Sequence, residues 1–173
     1  MQVETDYSDA IVRKYPEQVV IALARDSEGK CNPITLGWTM ITSHDPPMMA
    51  ISVGLTRYSL RAIREAGEFV IAFPSAQMAD EALFFGTHSG RDMDKLAERE
   101  TPTEPASEID CVLLGDAVAN FECMLESELK TGDHVIFVGH VVAAHVNQDE
   151  GVERLYTLGP GYQMGGVSGL PAD

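Results

Sequence analysis

Phe121-Glu122-Cys123-Met124-Leu125-Glu126-Ser127-Glu128-Leu129-Lys130-Thr131-Gly132-Asp133-His134-Val135-Ile136-Phe137-Val138-Gly139-His140-Val141-Val142-Ala143-Ala144-His145-Val146 reads as two strands and a turn. In the first half Phe121, Cys123, Leu125 and Leu129 alternate with Glu122, Met124, Glu126 and Glu128. That is the period of a strand with one face in the core and one in water. Lys130-Thr131-Gly132-Asp133 is the turn. The second half is apolar on both faces, Val135, Phe137, Val141 and Ala143 on one, Ile136, Val138, Val142 and Ala144 on the other. An antiparallel strand with two apolar faces needs a cover on each. It implies a barrel wall covered from outside, as a second subunit would cover it.

Outward from this hairpin the same pattern recurs. Gln18–Arg25 reads as a buried strand, Ile34–Ser43 as a second, and Met48–Gly54 as a third. His44-Asp45-Pro46-Pro47 cannot continue a ladder and is the turn between the last two. Thr56–Ala66 reads as a short helix with Leu60 and Ile63 inward, ended by Gly67. Glu68–Phe73 is a strand stopped by Pro74, and Ala76–Phe85 is helical with Met78, Ala82 and Phe85 on one face. Asp92–Arg99 is a further turn or two of helix, Thr101–Ser107 a loop, and Arg154–Leu158 a last short strand. Gly159–Asp173 is a Gly/Pro-rich tail that needs a partner surface to be ordered. Strands joined by short turns, with short helices inserted, predict a mainly β fold, a β-barrel decorated with helices in one domain over residues 1–173. The regular βα alternation of a doubly wound sheet is missing.

The chain holds 12 Lys+Arg against 27 Asp+Glu, a net charge of −15. Such a balance argues against nucleic acid, whose affinity comes from cations meeting phosphates, and against anionic lipid. No apolar run reaches the length of a membrane span. The start, Met1-Gln2-Val3-Glu4-Thr5-Asp6, lacks the basic and apolar regions of a signal peptide, so a cytoplasmic protein is expected. Cys31, Cys111 and Cys123 are odd in number and lack CxxC spacing, against a disulfide framework or a zinc site.

Against this acidity, cations gather in two places. Gly86-Thr87-His88-Ser89-Gly90-Arg91-Asp92-Met93-Asp94-Lys95 joins a helix stop, a glycine turn with free N–H groups, a guanidinium and a lysine. Thr56-Arg57-Tyr58-Ser59 sits where a strand meets a helix. Both suit an anion, such as a cofactor phosphate. Taken alone, Thr56–Ser59 also reads as a plain helix cap with solvated arginines. Five of the twelve cations, Arg57, Arg61, Arg64, Arg91 and Lys95, fall in these two segments. Trp38, the single tryptophan, could pack on a flat cofactor ring or fill a core or an interface. His134 could bond an anion or a ring carbonyl, or be structural. His134, His140 and His145 do not make a metal motif, since His145 points opposite to the other two. Cys31 is the one thiol near the proposed site; a redox role needs a resolving partner, and the spacing offers none. Cys123 reads as core.

Together these segments resemble the flavin-reductase-like family of FMN-binding split β-barrels, most closely its flavoredoxin branch, over roughly residues 15–165. Asn32-Pro33-Ile34-Thr35-Leu36-Gly37-Trp38-Thr39 is similar to the family's Asn…Ser-Trp strand, and Asp45-Pro46-Pro47 to its Pro-Pro hairpin. Arg57-Tyr58-Ser59 resembles its Arg-Tyr-Thr phosphate turn, and Ser89-Gly90-Arg91-Asp92-Met93-Asp94-Lys95 its Ser-Gly-Arg-Asp-x-x-Lys element. Glu122-Cys123 and Gly132-Asp133-His134 resemble its Glu-Cys strand and Gly-Asp-His hairpin. Gly37 stands where the family often has a small polar residue, and His140 where a Glu is common.

The resemblance implies an antiparallel, Greek-key split barrel, a homodimer with FMN near the interface, and specific contacts. Arg57 and Ser59 would hold the phosphate, with Ser89, Arg91 and Lys95 close by. Trp38, Thr39 and Met40 would line the isoalloxazine, with polar contacts from Asn32 and His134. Ser52, Val53 and Gly54 would pass the ribityl chain, and Tyr162 would cover the flavin. The implied activity is an oxidoreductase in which transient NADH or NADPH delivers hydride to FMN, and free flavin, a metal ion or a redox partner protein accepts the electrons. The alternatives are an FMN electron carrier reduced by a partner protein, an FMN-dependent oxidase of the pyridoxamine-phosphate type, and a flavin-free structural dimer.

Overall fold

Val19-Val20-Ile21-Ala22-Leu23-Ala24 is apolar at every position, and in the computed structural model, which describes residues 1–166, all six are buried. Alternate side chains of this run enter two separate cores. It is the partition around which the other elements are arranged.

The chain begins with helix α1 (Tyr7–Ile11), then strands β1 (Glu17–Gln18), β2 (Val20–Arg25), β3 (Cys31–Leu36), β4 (Thr39–His44) and β5 (Pro47–Gly54). Helix α2 (Tyr58–Ala66) and strand β6 (Glu68–Phe73) follow. A 3₁₀ turn at Ala76–Met78 leads into α3 (Ala79–Thr87), and a loop leads to α4 (Lys95–Glu98). The rest is β: β7 (Thr103–Pro105), β8 (Val112–Leu114), β9 (Ala119–Thr131), β10 (His134–Val146), β11 (Leu155–Gly159) and β12 (Gln163–Gly166). No helix among the described residues is long and apolar enough to cross a membrane.

Seven strands form one antiparallel sheet in the order β3-β2-β6-β9-β10-β5-β4. Inside its curve Val20, Ile51, Val53, Phe69, Ile71, Val135 and Phe137 pack with Leu60 and Ile63 of α2. On the other side Ile21, Leu23 and Val70 pack with Phe85 of α3, Leu114 and Leu155. Each large side chain buried this way contributes about 1.5–3 kcal/mol before chain entropy is counted. Helix α2 ends at Gly67, whose φ of +68° closes the last turn in the left-handed region.

The mainly β architecture with inserted helices matches expectation; the Greek-key split β-barrel does not, because among the described residues no sheet closes into a barrel. The edge strands β3 and β4 share no ladder, so the sheet is open. The two are consecutive in the chain, joined through Gly37 and Trp38, but β3's free edge is already occupied. Lys95 of α4 donates to the Pro33 carbonyl, Thr35 Oγ1 donates to the Ala82 carbonyl of α3 at 2.6 Å, and Pro33 has no N–H to offer. The expected single strand Ile34–Ser43 is therefore two strands at opposite ends of the sheet.

On β9 Met124, Glu126 and Glu128 face water as expected, but Leu129, expected inward, is exposed, and Glu122, expected in water, is not. Glu122 and Cys123 are both buried, Glu122 beneath a loop that the alternation could not reveal. Helix Asp92–Arg99 shrinks to Lys95–Glu98, capped by Asp94 Oδ1, which accepts from Ala97 N at 3.1 Å. Part of the Gly-rich tail forms β12, which joins β1 and β11 in a small sheet; residues 167–173 lie outside the described part.

Candidate functional site

Two segments 30 residues apart in sequence meet at the open end of α2. The β5–α2 turn, closed by Arg57 N to the Gly54 carbonyl at 3.0 Å, presents Arg57 and Ser59. Beside it the α3–α4 loop folds on itself, with Arg91 N donating to Ser89 Oγ at 3.2 Å and Asp92 N to the Ser89 carbonyl at 3.1 Å. Ser59, Ser89, Arg57, Arg91 and Lys95 thus line one cavity of about 200 Å³.

The cations there are unequal. Arg61 is tied to Glu65 and Ser27, and Arg64 makes two bonds of 2.8 Å to Glu128, so both leave the expected cluster. Lys95 is buried, and its ammonium donates to the carbonyls of Pro33, Phe85 and His88. Burial and the nearby Arg57 lower its pKa to about 8. With three acceptors for its three protons, Lys95 braces the loop from behind. Among the described residues neither Arg57 nor Arg91 has a carboxylate within 4.0 Å. These two guanidiniums carry the uncompensated charge.

Asn32 is buried behind them. Its Nδ2 donates to Ser59 Oγ at 2.7 Å, while its Oδ1 has no donor. Gly90 lies directly on it: a Cβ there would overlap Oδ1 and stand 2.7 Å from Cγ. Only glycine allows this approach.

Past Arg57 the cavity continues into a second space of about 480 Å³ lined by Trp38, Gly86, Thr87 and Tyr162, and this one meets a third of about 520 Å³ along Glu17, Gly37 and Trp38. The third holds Thr39, Met40, Ser52 and His134. Trp38 stands between them, 49% exposed, which removes the reading of a core tryptophan. The His134 ring leans on it at 4.7 Å between centroids, and His134 Nδ1 lies 2.7 Å from Asp133 Oδ1. That contact holds the Asp133 carboxyl below its usual range. Ser52 N bonds the Trp38 carbonyl at 3.0 Å. Gly54 leaves room between Arg57 and His134, each about 3.6 Å from where its Cβ would be. Val53 is fully buried with its side chain in the core, so it offers the groove only backbone. Tyr162 sits at the tip of the β11–β12 hairpin with φ +61°.

Sequence reasoning missed Gln18, which lines the third cavity and donates to the Thr39 carbonyl, fixing the segment after Trp38. Arg154 in turn donates to Gln18 Oε1 at 3.1 Å. No local pattern marks either residue, because each acts across the fold. Cys111 was missed as a neighbour of Cys31 for the same reason: their sulfurs are 3.6 Å apart.

The flavin reductase like domain family matches residues 12–165. The chain belongs to this family. As a flavin-reductase-like protein it is 30% identical over 113 residues to an uncharacterized protein of Archaeoglobus fulgidus, 65% of this chain and 64% of that one. It is 32% identical over 126 residues to the NADH-dependent FMN reductase AsuE2 of Streptomyces nodosus subsp. asukaensis, covering 73% and 67%. The chain therefore spans just under two thirds of the Archaeoglobus relative. In fold it is similar to flavoredoxin from Methanosarcina acetivorans, with TM-score 0.86 and 22% identity over 100% of this chain and 95% of that one.

The groove suits FMN on its own terms. Two unpaired guanidiniums and two serines face one small cavity, a buried acceptor lacks a donor, and an exposed tryptophan flanks space for a flat ring.

Proposed function

We propose that this protein is an FMN-binding oxidoreductase that accepts hydride from NADH or NADPH and passes electrons to free flavin, a metal ion or a partner protein. The observation that carries the reading is the convergence of Arg57 and Arg91, both without carboxylate partners, on a serine-lined cavity that opens toward Trp38. When bound, FMN supplies the two-electron redox chemistry. Arg57 and Arg91 would neutralise its phosphate, with Ser59 and Ser89 donating hydroxyl hydrogens and Lys95 keeping the loop in place. Trp38 would flank the ring. His134, oriented by Asp133, would offer Nε2 at the ring's polar edge, and Tyr162 would bound the groove from the hairpin tip.

We also propose a homodimer. Met40 of β4, Met124 and Leu129 of β9 and Val142 of β10 stay exposed, and a second copy would cover them beside the groove. A second reading, an FMN carrier reduced by a partner protein, is favoured by the net charge of −15, which suits docking on a basic surface.

The test is reduction of the FMN-loaded protein by NADH, then by NADPH, without oxygen. Bleaching of the flavin band by either nucleotide is expected. Retained colour with both would leave only the carrier, and failure to bind FMN at all would remove both readings. Arg57→Ala is expected to weaken FMN about 30-fold, the loss of ~2 kcal/mol from a charge-assisted contact, while Arg61→Ala leaves it unchanged.

A further inference from the structure

Cys31 and Cys111 are 80 residues apart in sequence, and their sulfurs lie 3.6 Å apart. Both are free and buried. The backbones that carry them are held independently. Cys31 opens β3 and pairs with Arg25 of β2 in the ladder. Cys111 closes a loop in which Ala106 N donates to the Cys111 carbonyl at 3.1 Å and Cys111 N to the Ile109 carbonyl at 3.0 Å. That loop is clamped in turn by Glu122, which accepts from the N–H groups of Ser107, Glu108 and Ile109. The two sulfurs are therefore presented to one another by fixed backbone, and a closure of about 1.5 Å brings them to disulfide length.

We propose that Cys31 and Cys111 form a peroxide-oxidised pair that closes into an intramolecular disulfide, Cys31 attacking and Cys111 resolving. The roles follow from the hydrogen bond between them, in which Cys111 S–H donates to the Cys31 sulfur. That bond, against the opposing effect of burial and with help from Arg25, holds the Cys31 thiol below its ordinary range. The same contact and burial push the Cys111 thiol up. Cys31 is the sulfur that reaches the thiolate form, which is the nucleophile.

The thiolate attacks one oxygen of a hydroperoxide. An S–O bond forms, the O–O bond breaks, and the departing oxyanion takes a proton from water. Cys111 then attacks the Cys31 sulfenic acid: the S–S bond forms, the S–O bond breaks, and the Cys111 proton leaves with the hydroxide as water. Two thiols lose two electrons in total, and one hydroperoxide gains them. Cys123 is the internal control. It is buried and donates to the Phe121 carbonyl at 3.8 Å, and burial pushes its thiol up to about 12.

The test uses the full chain and added hydrogen peroxide, so its outcome is independent of flavin binding. Denatured, quenched protein should fall from three free thiols to one, with Cys31 linked to Cys111 in peptide maps and all three restored by dithiothreitol. In the same treatment Cys111→Ser should trap a dimedone-reactive sulfenic acid on Cys31, and Cys123→Ser should leave the disulfide yield unchanged. Survival of all three thiols overturns the proposal, as does a disulfide that includes Cys123 or links two chains. The wild-type thiol count needs no variant, so misfolding of a mutant cannot rescue or sink the idea.

Discussion

Glu122 carries its charge where no solvent reaches it. Its two oxygens accept from Ser107 N, Ser107 Oγ, Glu108 N and Ile109 N at 2.7–3.2 Å, and His145 Nε2 lies 2.6 Å from Oε1. Burial pushes this carboxyl up, but the donors outweigh it and hold it at about 2, below the ordinary 4.5. A folded-state pKa below the unfolded one gives stability that is present above the unfolded value and lost as pH falls through the folded one. Thermal unfolding should therefore show stability declining between about pH 5 and pH 2, following the shift from 4.5 to about 2. Glu122→Gln should lower stability at neutral pH by about 3 kcal/mol and flatten that decline. An unaltered pH profile in the variant would show that other carboxylates govern it. Strand periodicity put this residue in water because alternation reports only which face a side chain is on. It cannot report that a loop folds over that face. Lys95 shows the converse: its place beside two arginines was legible, and its three carbonyl partners were not.

At the scale of elements, the long β9–β10 hairpin shifts register between Val138 and Gly139, and again between Val141 and Ala143. Such bulges bend a strand and increase its twist. Gly139 sits at the first, where a Cβ would lie 2.7 Å from both Cys123 Cβ and Phe69 Cζ. Phe69 is fully buried, so little can give way. Gly139→Ala should cost about 2 kcal/mol, read as a drop of roughly 4–8 °C in the unfolding midpoint. An unchanged midpoint would mean that the hairpin slides to make room. The hairpin, β5, β6 and α2 were legible because their signals are local: alternation, a Pro-Pro turn, a glycine stop. Strands β1, β7 and β8 were not, since two or three residues carry no periodicity.

At the scale of the molecule, apolar side chains remain on the outer surface of β4, β9 and β10, with Met40 54% exposed and Leu129 61% exposed. Leu129→Glu should convert the proposed dimer into a monomer in light scattering and weaken FMN at least about tenfold, because charge on that interface would oppose association and expose the groove beside it. A variant that stays dimeric would move the interface elsewhere. The acidity of the chain is a property of the same scale. It makes Arg57 and Arg91 at the cavity conspicuous.

By itself the sequence determined the β-rich character, most of the strand limits and the two cation-bearing turns, because each depends on neighbours within a few residues. Tertiary structure alone decided four things: that the sheet stays open, that Arg61 and Arg64 are neutralised by Glu65 and Glu128, that Lys95 faces carbonyls, and that Cys31 meets Cys111. Each is settled by a partner or a topology that chain spacing does not encode. For Arg61, whose Glu65 partner is only four residues away, a solvated helix face and an anion site look alike until the fold shows where that face points.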